Sequence, residues 1–167
     1  MNLTTGENQA AHLRIRPVEV SHVGDLIRLG DETNLSPWTA QGYIDEMKNT
    51  DAIMLRLVSE ENVTIGFIVG RTVIGGAIEP TTDAEIYNIA VAEIQQRRGC
   101  GQMLFDAFML ACSERGVANV WLEVRESNQR ALSFYERNGF VRVQTRPFFY
   151  DDPREHAVLM KLRVKLI

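Results

Sequence analysis

Gln96-Arg97-Arg98-Gly99-Cys100-Gly101 stands where a strand-like run gives way to a helical one. Before it comes Glu85-Ile86-Tyr87-Asn88-Ile89-Ala90-Val91, rich in β-branched and aromatic residues. After it comes Gln102 to Arg115, with apolar residues every three or four positions. A glycine-punctuated turn feeding a helix N-terminus aims several backbone N–H groups at one spot, backed by the positive end of the helix dipole. With two arginines on the turn, the construction suits a phosphate or pyrophosphate and hence a nucleotide-like anionic ligand. An ordinary loop-to-helix transition with surface arginines is the competing reading. Two rival phosphate loops are excluded, since the chain has neither Gly-x-x-x-x-Gly-Lys-Ser/Thr nor Gly-x-Gly-x-x-Gly here.

The elements that must position this turn follow from periodicity and punctuation. Leu13 to Pro17 reads as a strand, and Val18 to Thr33 has helical spacing at Val23, Leu26, Ile27 and Gly30. Ser36-Pro37-Trp38 reads as the start of a second helix, with proline early in its first turn, running to about Asn49. Ala52 to Ser59 and Val63 to Thr72 are strands joined by the polar turn Glu60-Glu61-Asn62. Gly75-Gly76 and Pro80-Thr81-Thr82 predict a loop over 73–83. The strand to Val91, the turn and a helix closed by Gly116 come next. Val120 to Val124 is a strand, and Ser127 or Asn128 caps a helix stopped at Gly139. Phe140 to Thr145 and Ala157 to Val164 are the last strands, with Phe148, Phe149, Tyr150 and Pro153 in the loop between them. The order β-α-α-β-β-β-α-β-α-β-β predicts an α/β chain with a mixed sheet covered by helices.

At 167 residues, 45% hydrophobic and 24% charged, the chain fits one domain with a substantial core. Met1 to Ala11 is polar, without the apolar core of a signal peptide, and is expected to be a flexible tail ahead of a single domain over 12–167. A net charge of −4 argues against a nucleic-acid partner, and no apolar run is long enough for a membrane span. Cys100 and Cys112 are too few for a disulfide framework, and no His, Cys or acidic spacing suggests a metal. A reduced, cytoplasmic protein is expected, and a homodimer is left open. On residue type alone, Glu123 reads as a solvent-facing strand residue and Tyr135 as core packing. Trp38 is either a groove residue or a partly buried helix start.

The run Asn88-Ile89-Ala90-Val91 … Gln96-Arg97-Arg98-Gly99-Cys100-Gly101 resembles the central acetyl-CoA motif of the GNAT N-acetyltransferases. In that family the turn is Gln/Arg-x-x-Gly-x-Gly/Ala, and its amides hold the coenzyme A pyrophosphate. Trp121-Leu122-Glu123-Val124-Arg125-Glu126-Ser127-Asn128 and Ala131 to Phe140 are similar to one branch, the RimI-type ribosomal-protein-alanine N-acetyltransferases. The resemblance implies the GNAT fold, a mixed, mostly antiparallel seven-stranded sheet flanked by about four helices. It puts Gln96, Arg97, Arg98, Gly99, Cys100 and Gly101 on the pyrophosphate cradle. Ile89 and Val91 fall where main chain pairs with the pantetheine arm, and Asn128 falls on a cofactor-contacting asparagine. Glu123 matches the proposed general base and Tyr135 the proposed general acid, with Glu85 a back-up base. Cys100 is read as a small filler, not a nucleophile, and no metal is implied.

The function this implies is direct, acetyl-CoA-dependent acetyl transfer to the α-amine of a protein N-terminus, with acetyl-CoA as co-substrate. A small-amine acetyltransferase and a catalytically silent acyl-CoA-binding module are the alternatives. An α-amine has a pKa near 7.7–8.0, so roughly a tenth or more is neutral at pH 7, against about a few in ten thousand for lysine. Such an acceptor asks little of its base, and a carboxylate suffices. Arg146-Pro147-Phe148-Phe149-Tyr150 departs from the branch's Arg-Arg-x-Tyr-Tyr at Pro147 and Phe149, and His156 replaces a common aspartate. Both departures lie where the acceptor peptide is expected.

Overall fold

The computed structural model describes residues 12–164. The expected tail over 1–11 therefore lies outside the described residues. In chain order the elements are β1 (Arg14–Pro17), α1 (Val23–Glu32), α2 (Ala40–Met47), β2 (Ala52–Val58), β3 (Thr64–Gly75), β4 (Thr81–Val91) and α3 (Cys100–Glu114). They continue with β5 (Asn119–Arg125), α4 (Gln129–Arg137), β6 (Val141–Asp151) and β7 (Arg154–Arg163). Single 3-10 turns, Val20–His22 and Glu93–Gln95, precede α1 and follow β4. The element order is the one periodicity predicts.

The seven strands form one sheet in the order β1-β2-β3-β4-β5-β7-β6. Every neighbouring pair is antiparallel except β4 and β5. A parallel pair needs a crossover, and α3 supplies it. Leu104, Phe105, Phe108 and Cys112 of α3 are buried with Leu132 and Tyr135 of α4 on one face of the sheet. Leu26 and Leu29 of α1 and Tyr43 of α2 are buried on the other, against Phe67, Val69 and Ala90. Two apolar cores thus clamp the sheet, but α1 and α2 pack on β2, β3 and β4. That leaves the β5-β7-β6 part of their face open for a ligand.

Three expectations need correction. The second helix begins at Ala40, with Thr39 as its cap, accepting at Oγ1 from the Gly42 amide at 3.0 Å. Ser36 and Pro37 precede it, because a threonine that caps the first free N–H groups outweighs a proline suited to a first turn. The loop predicted over 73–83 is largely strand, since β3 and β4 pair as far as Gly75↔Thr81. Only 76–80 turns, so the ladder hydrogen bonds override the breaker propensity of Gly75.

The aromatic run is not a free loop either. β6 continues through it, pairing Arg146 with Ala157 and then Tyr150 with Glu155. Pro147, Phe148 and Phe149 form a bulge opposite His156, whose Nδ1 accepts from the Phe148 amide at 2.9 Å. Proline has no N–H for the ladder, so the strand bulges there instead of ending.

Candidate active site

The site begins as a gap in the sheet. β4 and β5 pair only from Asp83↔Asn119 to Ile86↔Leu122, although β4 runs on to Val91 and β5 to Arg125. The cause lies one strand away. Val69 faces Asn88 and Gly70 faces Ile86, which makes Tyr87 an extra residue on β4. A bulge of this kind bends its strand and increases its twist, here turning the end of β4 away from β5. Gly70 is required for it: a Cβ there would stand 2.2 Å from the Glu85 carbonyl oxygen and 2.7 Å from the Phe108 ring.

On the α3–α4 side the gap opens into a cavity of about 750 Å³. Ile89, Val91, Gln96, Arg97, Gly99, Cys100, Gly101 and Asn128 all line it, together with Tyr135. Arg98, exposed on the same turn, does not. Ala92 donates to the Ile65 carbonyl on β3 at 2.8 Å, while Gln96 Nε2 donates to the Val91 carbonyl at 2.9 Å. Main-chain groups alternate along an antiparallel strand, so the N–H groups of Val91 and Ile89 face away from β3, into the gap.

Arg97 and Gly99 both take left-handed backbone, φ 62° and 79°, and α3 starts at Cys100. The φ at 99 favours glycine, which reaches it without a Cβ clash. The first helical bond runs from the Met103 amide to the Gly99 carbonyl at 3.0 Å, so the amides of Cys100, Gly101 and Gln102 have no partner within the helix. These uncommitted amides lie where the hexad predicts an anion cradle. Cys100 is 1% exposed and burial pushes its thiol up, as suits a filler and not a nucleophile.

Two details of the cradle were not legible in the hexad. Gln96 is a strut: its Nε2 holds Val91 and its Oε1 accepts from Arg130 Nη1 on α4. Arg130 and Arg137 also line the cavity and add positive charge. Their separation of seven residues, one face of a helix, was the available signal. Asn128 caps α4, accepting at Oδ1 from the Ala131 amide at 3.1 Å.

On the opposite face of the sheet, Glu85, Trp121, Glu123 and Arg146 line a second cavity of about 330 Å³ with the end of the β3–β4 hairpin. Along β5, Val120, Leu122 and Val124 are buried with α3 and α4, so Trp121, Glu123 and Arg125 point the other way. Glu123 is half-buried and forms a 2.8 Å ion pair with Arg146 Nη1. Burial raises its carboxyl above the ordinary glutamate range, Arg146 opposes that rise and Glu85 adds to it. Glu85 accepts from the Tyr87 hydroxyl at 3.0 Å.

Tyr135 reaches the gap from α4, 5% exposed and packed edge-on against Phe134 and Phe140. Burial above all, and then Tyr150, pushes its phenol well above the usual range. Tyr150 lies between the two faces: its phenol is raised by burial and by Glu123, while the Arg125 guanidinium, 4.1 Å over its ring, works against that. Arg125 also donates to the carbonyls of Asp152 and Pro153 and thereby pins the β6–β7 hairpin to β5. Sequence reasoning did not single out Tyr150 as a site residue, because its place depends on that hairpin.

Trp38 packs on Tyr43 and Tyr87 at 5.2 and 5.7 Å, a partly buried residue tying the chain before α2 to the bulge. His22 and His156 each accept a backbone hydrogen bond, and among the described residues no three His, Cys, Asp or Glu are grouped to hold a metal ion.

A family model described as "Acetyltransferase (GNAT) family" matches residues 24–140. The chain is 33% identical to the [ribosomal protein bS18]-alanine N-acetyltransferase of Haemophilus influenzae over 149 residues, covering 87% of this chain and 95% of that protein. The crystal structure of the ribosomal-protein-S18-alanine N-acetyltransferase from Escherichia coli superposes with a TM-score of 0.79 at 26% identity, covering 93% and 96% of the two chains. Ard1 from Thermoplasma volcanium superposes with a TM-score of 0.81 at 28% identity, covering 92% and 98%.

Proposed function

The chain belongs to the GNAT acetyltransferase family and is an acetyl-CoA-dependent N-acetyltransferase, and from that premise we propose that its acceptor is the α-amine of a protein N-terminus. One observation carries the reading. Around the point where β4 and β5 part, one face of the sheet carries a cavity fitted to an anionic cofactor and the other a carboxylate-lined cavity. Acetyl-CoA supplies an acetyl group activated as a thioester.

The amides of Cys100, Gly101 and Gln102 hold the pyrophosphate, helped by the α3 dipole and by Arg97, Arg130 and Arg137. The residues fit that group: the amides are uncommitted within the helix, and Gly101 offers no side chain to obstruct it. The N–H groups of Ile89 and Val91 pair with the pantetheine arm and stabilise charge developing on the thioester oxygen. Glu123 takes the proton of the α-ammonium, directly or through a water. Its raised carboxyl is a better base than an exposed glutamate. Tyr135 donates to the departing thiolate. Burial keeps the phenol protonated, and the same burial makes the thiolate basic enough to accept.

Relatives named for acetylating the alanine terminus of a ribosomal protein support the α-amine acceptor. The ribosomal-protein acceptor of those relatives supports a cytoplasmic place of work. No helix among the described residues is long and apolar enough to cross a membrane. The test is thiol release from acetyl-CoA with an alanine-starting peptide, its N-blocked form and a panel of small amines. Release with the free peptide alone is expected. Release with small amines alone would replace this acceptor, and tight coenzyme binding without turnover would replace the enzyme with a binding module.

A further inference from the structure

Glu123 has a cationic partner of its own, Arg146. Arg146 Nη1 stands 2.8 Å from Glu123 Oε1, with the arginine side chain 44% exposed and the glutamate 30%. Arg146 is the last paired residue of β6 before the Pro147 bulge, so its guanidinium leaves the sheet next to open space. There it also leans over the Phe149 ring at 5.7 Å. The groups facing Glu123 are few: Arg146 and Tyr150 from β6, Glu85 from β4, and Leu159 opposite it on β7. Asp83 lines the same cavity but is engaged by Thr81, Asn119 and Trp121. Glu85 accepts from the Tyr87 hydroxyl and stands opposite Arg71 of β3, so Arg146 is the cation held directly against Glu123, in the pocket that the proposed function assigns to an ammonium.

We propose that Arg146 is a displaceable stand-in for the acceptor: in the free protein its guanidinium occupies the cation position beside Glu123, and the incoming α-ammonium takes that position as Arg146 moves out to solvent. This rests on the reading of Glu123 as the base. A guanidinium suits the task because it does not give up its proton and so cannot itself become an acceptor. Its half-exposed position lets it leave at small cost, since an ion pair at this exposure is weak. Arg146 is thus a positioning residue. It holds the half-buried carboxylate ionised between turnovers, against burial and against Glu85, and it makes every acceptor compete for its place.

Two measurements on Arg146→Gln and Arg146→Lys test this. The first is the side-chain carboxyl titration of Glu123 by carbon NMR in substrate-free protein labelled at glutamate. Arg146→Gln is expected to raise the midpoint by about one unit, and Arg146→Lys by less. An unmoved midpoint overturns the proposal. The second is the KM for an alanine-starting peptide at pH 8 with saturating acetyl-CoA. With the competitor gone, KM is expected to fall by about two- to five-fold in Arg146→Gln, with the KM for acetyl-CoA unchanged. An unchanged or increased peptide KM overturns displacement, because a guanidinium that stays and helps to bind the acceptor gives the opposite sign. If the wild-type enzyme prefers a small amine, the same comparison is made with that amine and the same sign is required. A wild type that acetylates nothing ends the acceptor reading, while the carboxyl titration still decides whether Arg146 governs Glu123.

Discussion

Ile86 and Leu122 are the last residues to face each other across the β4–β5 contact, the only parallel one among the described residues, and Ile89, Val91 and Glu123 lie just beyond them. Past Ile86, β4 carries Ile89 and Val91 toward the anion cradle. Past Leu122, β5 carries Glu123 to the opposite face. In the function proposed above, that gap is what lets Glu123 on one side of the sheet and Tyr135 on the other act on the same bond.

Glu123→Gln and Tyr135→Phe are each expected to lower kcat by about ten- to ten-thousand-fold, the range for lost proton transfer. Coenzyme affinity, measured by calorimetric titration, stays close to wild type. A normal kcat in either variant removes that residue from the chemistry.

Glu85→Gln removes the like charge that adds to the raised carboxyl of Glu123. With that cause gone the Glu123 carboxyl ionises at lower pH, so the acid limb of kcat/KM moves down the pH scale. A profile that moves up, or a loss of activity at all pH values, would instead make Glu85 a base in its own right.

Gly101→Glu is expected to abolish coenzyme binding while leaving the fold intact. A Cβ at 101 comes no nearer to its surroundings than 3.9 Å, from Phe134. A carboxylate in the first turn of α3 also suits the helix dipole. The melting temperature should hold while the coenzyme A titration fails, and normal binding would refute the cradle.

Arg130→Ala should weaken coenzyme binding by about ten-fold through loss of a charge and of the strut to Gln96. The salt dependence of the dissociation constant should flatten with it, since an exposed charge acts through screened attraction.

Gly70→Ala tests the origin of the gap. The new Cβ meets the Glu85 carbonyl oxygen at 2.2 Å, so β4 must shift. A stability loss of about 1–3 kcal/mol is expected, measured by denaturant unfolding. Turnover should fall too, although Gly70 lines neither cavity.

Much of the protein is written in short-range patterns. Apolar periodicity gave the element order, and glycines marked the ends of α3 and α4. The hexad announced an anion site because turn geometry and helix start are local properties, decided by the φ of Gly99 and the free amides after it. The resemblance of the Trp121–Asn128 and Ala131–Phe140 runs then named Glu123 and Tyr135, which residue type alone assigned to solvent and to core.

What only the tertiary structure decided depends on register between distant segments. The bulge at Tyr87 exists because β3 offers Gly70 beneath it, and that pairing opens β4 from β5. Arg146 reaches Glu123, and Tyr150 lies near both Glu123 and Tyr135, because β6 continues through a proline that reads locally as a loop. Arg130 meets Gln96 across 34 positions of sequence. A local pattern fixes which way a residue points along its own strand or helix. Which residue stands opposite is settled by the packing of whole elements, and in this protein the placing of Glu123, Tyr135 and their neighbours is of that second kind.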